Sequence, residues 1–321
     1  MTAIEPPAAR AAPESAVVVS PPPARLRIIR MVAIAVVVGP VLGTLLAVAL
    51  ASRTGGVHPA ALLAAAVAYA LSTLGVTIGF HRYFAHRAFR TGLLMQAVFV
   101  ILGSCALQGP LLFWVATHRR HHQFSDTPDD PHSPHYRDAH PIGGWPGFAH
   151  SHLGWMFSAS LTNAIRFAPD IIRDRRIFEL QRHYVVWALL GLALPPASVG
   201  LATGDAWAAA QAFLWAGPVR MLLVHHASWA VGSLSHMYGA RPFDTGDRSA
   251  NNYWVAVFAF GEGLQNNHHA FPRAAHHGLF PGEPDLSGLA IDGLEAIGLV
   301  TDVRRPSADA IAARRRRPGA T

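Results

Sequence analysis

Four apolar runs, at about 31–51, 60–80, 184–201 and 206–235, constrain this chain more than any other feature. Each approaches or passes the roughly 20 residues needed to cross a bilayer. Inside hydrocarbon the backbone must satisfy its own hydrogen bonds, so such runs fold as helices. Only 14% of the 321 residues are charged, against about 25% in an ordinary soluble domain. The expectation is an all-α integral membrane protein with four transmembrane helices and a cytoplasmic helical cap holding a histidine-rich site.

The arginines fix the expected orientation. Arg25, Arg27 and Arg30 precede the first run, and Arg82, Arg87 and Arg90 follow the second. The connector 52–59 holds only Arg53, and 202–205 holds none. By the positive-inside rule both termini and the segments after the second and fourth runs are cytoplasmic. All 26 basic residues are arginine and the net charge is +7. Because the arginines sit beside apolar runs, this balance points to topology and anionic membrane lipid, not to nucleic acid. The single cysteine, Cys105, excludes an intrachain disulfide and a cysteine-rich metal site.

Residues 1–24, rich in Ala, Pro and Ser, read as a disordered arm. No short apolar core with a cleavage site follows a basic start, so no removed signal peptide is expected. Residues 25–303 form one membrane domain, and 304–321 a basic disordered tail. A further apolar stretch, 93–114, is interrupted by Gln108, Gly109 and Pro110. As a simple crossing it would place His86 and His118 on opposite sides of about 30 Å of hydrocarbon. A helix buried in protein or lying near the interface is expected instead. Arg220, His225 and His226 fall within the fourth run, where they are costly unless they face protein or water.

Histidines gather where the apolar runs end. His118, His121 and His122 stand at i, i+3 and i+4, which puts them on one helical face. His81 and His86 form a second group and His268 and His269 a third. A solvated basic helix face would explain any one group, but all three fall on the same expected side. Nitrogen ligation of this multiplicity suits iron, copper or zinc. A structural zinc needs four ligands; seven or eight histidines argue for two metals. Such a pair favours O2 chemistry, which side chains cannot perform.

In order, the motifs HRYFAH, HRRHH, DDPHSP, SHLGW, GSLSHMYG and GEGLQNNHHAFP resemble those of membrane fatty acid desaturases of the stearoyl-CoA type. The resemblance runs from about His81 to Gly278. It implies a cytoplasmic di-iron site that uses O2 and two electrons to insert a cis double bond, usually at C9, into a saturated acyl chain. The substrate would be acyl-CoA or similar. The electrons would come from an external donor, a ferredoxin or cytochrome b5 with its reductase. The implied iron ligands are His81, His86, His118, His121, His122, His236, His268 and His269. Gln265 stands where the family's third cluster begins with histidine, and its carbonyl oxygen can also bind iron. The implied bend of the acyl channel falls on Gln108, Trp114 and Ser228. His132 and Asn266 lie beside the ligands, as does Gly232, which replaces a family asparagine that reaches iron through water. Ala116 and Thr117 replace an Arg-Asp pair that contacts CoA in animal members, which leaves CoA, acyl carrier protein and lipid open as carriers.

The remaining histidines, His152, His225, His226, His276 and His277, read as hydrogen-bond partners. His140–Gly144 resembles the haem-binding HPGG of cytochrome b5 with one insertion, and is read as a turn. Two rivals use the same residues: a membrane di-iron lipid hydroxylase and a non-catalytic lipid-binding descendant. A metal transporter would place its ligands at mid-membrane, away from the span ends.

Overall fold

The computed structural model describes residues 16–316. Among the described residues four helices are long and apolar enough to cross a membrane: α1 (Pro23–Arg53), the span Pro59–Ala85 that begins as α2 (Pro59–Leu74), Tyr184–Thr203, and Ala206–His236. Leucines such as Leu45, Leu63, Leu94 and Leu201 lie exposed on the outer surface. In water this would be a liability; facing lipid tails it costs nothing.

The stretch 93–114 is not a single helix. It forms α3 (Leu93–Cys105), then a turn, then α4 (Leu111–Phe124). At 13 residues, α3 reaches about 20 Å, short of the hydrocarbon thickness. It packs beside the second span and Tyr184–Thr203. A Cβ on Gly75 would lie 2.4 Å from the Gly103 nitrogen, so the backbones of the second span and α3 touch there. The reversal uses left-handed residues, Leu107 at φ 57° and Gly109 at φ 98°. His86 and His118 therefore stay at the same end of the bundle.

The second span changes pitch. After α2 it continues as a π-helix, Gly75–Ala85, a form seen mostly as short insertions at functional sites. The His86 N–H donates to the His81 carbonyl at 3.1 Å, which brings two rings five residues apart to 4.8 Å between centroids.

The polar residues of the fourth span face protein. Buried Arg220 donates to the Ala216 and Cys105 carbonyls, and His225 contacts the Ala106 carbonyl. His226 contacts His152. The ends of the chain depart from expectation. Val18–Val19 pairs antiparallel with Leu161–Thr162, and α1 begins at Pro23. Asn163 fastens the strand by donating to the Ala16 carbonyl. The tail forms a helix, Ala308–Arg314, capped by Ser307, and Arg315 bridges to Phe243. Residues 1–15 and 317–321 of the expected arm and tail lie outside the described residues. His140–Pro141 pairs with Tyr136–Arg137 around Asp138 and Ala139, a hairpin turn.

Candidate metal centre

The histidine segments converge at one end of the bundle into two groups. His81, His86, His118, His122 and His268 bring one nitrogen each within 4.8 Å of one another. His121, His236 and His269 do the same in a second group. The three histidines of α4 thus do not act as one face. His118 and His122, at i and i+4, enter the first group, while His121 enters the second. Successive residues on a helix diverge by about 100°, so His121 and His122 lean to opposite sides of the same stripe. His268 and His269, on the short helix Gln265–Ala270, divide in the same way.

The donor sets suit a metal. In the first group the Nε2 atoms of His86 and His118 lie 2.7 Å apart, those of His122 and His268 2.9 Å, and those of His81 and His268 3.0 Å. Nitrogens at right angles around an ion at about 2.1 Å would stand about 3.0 Å apart. Burial, reinforced by neighbouring imidazoles, holds His86, His118, His122 and His268 well below the ordinary histidine value. They are neutral at pH 7, and a neutral imidazole is the form that binds metal.

The second group is aligned by carboxylates. The Nδ1 atoms of His121, His236 and His269 meet Asp130 at 3.0 Å, Asp126 at 2.9 Å and Asp247 at 2.5 Å. Burial drives His269 down to about 4, against the pull of Asp247. Asp126 resists its own burial and is held at about 2 by His236 and by the Arg248 N–H; Asp130 and Asp247 are also held low by their histidines despite burial. An ionised aspartate on Nδ1–H fixes the tautomer and leaves Nε2 as the ligating atom. The Nε2 atoms of His236 and His269 are buried without a hydrogen-bond partner, as ligand atoms would be. In the first group Glu262 contacts His81 Nδ1 in the same manner.

Gln265 is buried, lines the adjoining cavity, and donates through Nε2 to the Glu262 carbonyl at 2.8 Å. His132 stacks on His121, 4.6 Å between centroids. It occupies space left by Gly232, where a Cβ would meet His132 Nδ1 at 3.2 Å. Asn266 is turned elsewhere: its side chain bonds to Phe243 and to the Ser249 carbonyl, tying down the loop that carries Asp247.

Sequence reasoning did not find Asp126, Asp130, Asp247 and Glu262, because no periodicity links them to the histidines they orient. His277, read as a hydrogen-bond partner, donates its backbone N–H to Asp285 and accepts from Asn267 at its carbonyl, while its ring stands among the histidines. It is fully buried, 4.4 Å from His268 between ring centroids and 3.8 Å from Glu262.

A cavity of about 990 Å³ opens beside the histidines. Gln108, Trp114 and Ser228 all line it and are joined. Trp114 Nε1 donates to Gln108 Oε1 at 3.3 Å, and Ser228 Oγ donates to the same oxygen at 3.0 Å. Trp114 stacks on His118 with 5.0 Å between ring centroids, so the cavity and the first histidine group share a wall.

Fold and site define a membrane protein with a cluster of histidines that could hold metal beside an apolar cavity. The fatty acid desaturase family model matches residues 57–281, and the chain belongs to that family of oxidoreductases. It is 44% identical over 77% of its length to a hex-5-enoyl-[acyl-carrier protein] acetylenase of Moorena producens, covering 78% of that protein. It is 38% identical over 72% to an sn-1 stearoyl-lipid 9-desaturase of Anabaena variabilis, covering 79%. It is also 38% identical over 73% to a chloroplastic palmitoyl-monogalactosyldiacylglycerol delta-7 desaturase of Arabidopsis thaliana, covering 59%.

Proposed function

We propose that the chain inserts a cis double bond, near C9, into a saturated fatty acyl chain. His81, His86, His118, His122 and His268 would hold one iron. His121, His236 and His269, with the Gln265 carbonyl oxygen, would hold the other. With O2 and two electrons from a ferredoxin or cytochrome b5 type donor, two irons supply the oxidising power to take hydrogen from unactivated carbon, which no side chain can. Adjacent methylenes each lose one hydrogen, and with two protons O2 leaves as two waters.

The chain's own residues position the acyl group, and burial keeps His86, His118, His122, His268 and His269 neutral. The contact between Trp114 and His118 carries the reading, because an acyl chain held against that indole lies beside the first nitrogen group. Gln108 and Ser228 lock the indole's edge, which fixes the bend and with it the methylene presented to the centre. The aspartates and Glu262 hold His121, His236, His269 and His81 in their ligating tautomers. The arginine distribution supports a cytoplasmic centre and cytoplasmic termini.

The resemblance to an acetylenase of an acyl-carrier protein substrate favours a second reading, in which an existing double bond is taken to a triple bond. Both remove two hydrogens. The test is expression in a desaturase-deficient host with fatty-acid profiling and a His121→Ala control. The purified protein is then assayed on saturated and terminally unsaturated chains carried as acyl-CoA, as acyl carrier protein and as glycerolipid. Unsaturated product from a saturated chain, lost in the control, is expected. A gain of one oxygen would replace this reading with a hydroxylase. Absence of product together with iron well below two per chain would replace it with a non-catalytic lipid-binding role.

A further inference from the structure

Besides the acyl cavity, a second opening reaches the histidines. It is a cleft of about 260 Å³ lined by Asp244, Thr245, His269, Ala270 and Arg314. His269 spans the distance between cleft and centre: its Nδ1 rests on Asp247, its ring borders the cleft, and its free Nε2 belongs to the second group. One imidazole therefore separates the surface from the second group.

The surroundings of the cleft are cationic. Arg314 binds the Ala270 carbonyl and lies over the Phe271 ring at 5.0 Å. Arg315 lies over the Phe280 ring at 5.1 Å. Arg273, three residues beyond Ala270, is exposed, as are Arg314 and Arg315. Among the described residues no carboxylate pairs with these three, whereas Arg305 is engaged by Asp292 and Glu295. The acids on this side, Asp244 in the cleft and Asp309 on the C-terminal helix, are also exposed, and the arginines outnumber them. The guanidinium groups of Arg314 and Arg315 are held by rings and, for Arg314, a carbonyl, which keeps these two in place and leaves their charge unneutralised.

We propose that this face is the docking site for a small acidic one-electron carrier protein, with His269 as the point of electron entry. The proposal rests on the desaturase reading, which requires two electrons per turnover from outside the chain. Each docking would deliver one electron, and the oxidised carrier would leave before the next arrives. Unpaired arginines around the cleft would steer an acidic partner electrostatically, an effect that fades with salt. Entry through the cleft also leaves the acyl cavity free to hold substrate throughout.

The test uses the full chain in nanodiscs with a reduced [2Fe–2S] ferredoxin as donor. Ferredoxin oxidation is followed by stopped flow in the presence of acyl substrate, across a range of ionic strengths. In Arg273→Glu/Arg315→Glu the second-order rate should fall about tenfold or more, with its salt dependence flattened or inverted. Iron per chain should match the unsubstituted protein. Arg315→Gln, a milder change in case the double variant misfolds, should lose a few-fold at low salt and converge with the unsubstituted protein at high salt. Unchanged rates and salt dependence in a variant with full iron content would overturn the proposal. So would a loss confined to binding of phosphatidylglycerol vesicles, which would assign the arginines to lipid. If the unsubstituted protein binds iron but forms no product even with dithionite as reductant, the desaturase reading fails and this proposal with it. Product with dithionite together with an unaltered ferredoxin rate in the variants sinks the docking site alone.

Discussion

Five imidazoles meet in one group and three in the other, although neighbouring residues supply both: His121 beside His122, and His268 beside His269. The first group has nitrogens in number, packed at 2.7 to 3.0 Å. The second has fewer nitrogens, but each of its three histidines is braced by an aspartate. One group would hold metal by count and the other by alignment. Each strategy fails differently. Losing one of five ligands leaves a usable set, whereas losing one of three, or the carboxylate that aims it, removes much of the site.

The sharpest attack on this contrast is His269→Ala. Iron should fall from two towards one per chain, and product formation by about a hundredfold or more. Elemental analysis and product assay check both, and His122→Ala should spare more of the metal. If His122→Ala empties its group just as fully, the contrast between count and alignment is wrong. Asp130→Asn should weaken iron retention in the second group by about 10- to 100-fold and leave the first unchanged, giving a two-phase release in chelator competition. A single phase would mean that the two groups act as one site.

The cavity is lined by His81 and His118 of the first group and by His121 and His236 of the second, and Trp114→Ala tests whether the indole against His118 sets the substrate's position. It should shift the double-bond position or the preferred chain length, read by mass spectrometry of the products; unchanged products would remove Trp114 from the channel. Gln265→His adds a nitrogen beside the second group and should slow iron loss from it a few-fold, narrowing the gap between the two phases.

The smallest effect concerns support of α4. Asp170 binds Arg119 and Arg87. Partial burial would raise its pKa, but the two guanidinium groups outweigh this and hold it at about 2. A carboxylate lowered on folding contributes stability that is present above its unfolded value of about 3.9. That contribution is lost as pH falls through the folded value. Asp170→Asn should therefore cost about 1 kcal/mol at pH 7. The difference from the unsubstituted protein should vanish between about pH 4 and pH 2, as followed by denaturation in detergent.

Much of this was legible in the chain. Apolar runs of bilayer length announce spanning helices, and the break at Gln108–Pro110 argued correctly against a simple crossing of 93–114. Gln108, Trp114 and Ser228, drawn together by resemblance, are joined by hydrogen bonds. Other features left no mark. The edge-to-face contact of His81 with His86 depends on a π-helix, whose hydrogen-bond register carries no residue signature. The first and last segments read as disordered from composition, yet Val18–Val19 and Ala308–Arg314 are ordered by contacts with distant partners.

Hydrophobic length and histidine spacing were enough to establish a membrane-embedded helical protein with a nitrogen-rich centre at one end, because both are local properties of the chain. The partition of eight histidines into five and three was not local. It depends on how helices from four parts of the chain are rotated against one another, and a rotation of one residue's angle on α4 would exchange His121 for His122. The same holds for the aspartates behind the second group. Asp126 and Asp247 are brought to one centre from segments more than a hundred residues apart, and that closure is set by packing.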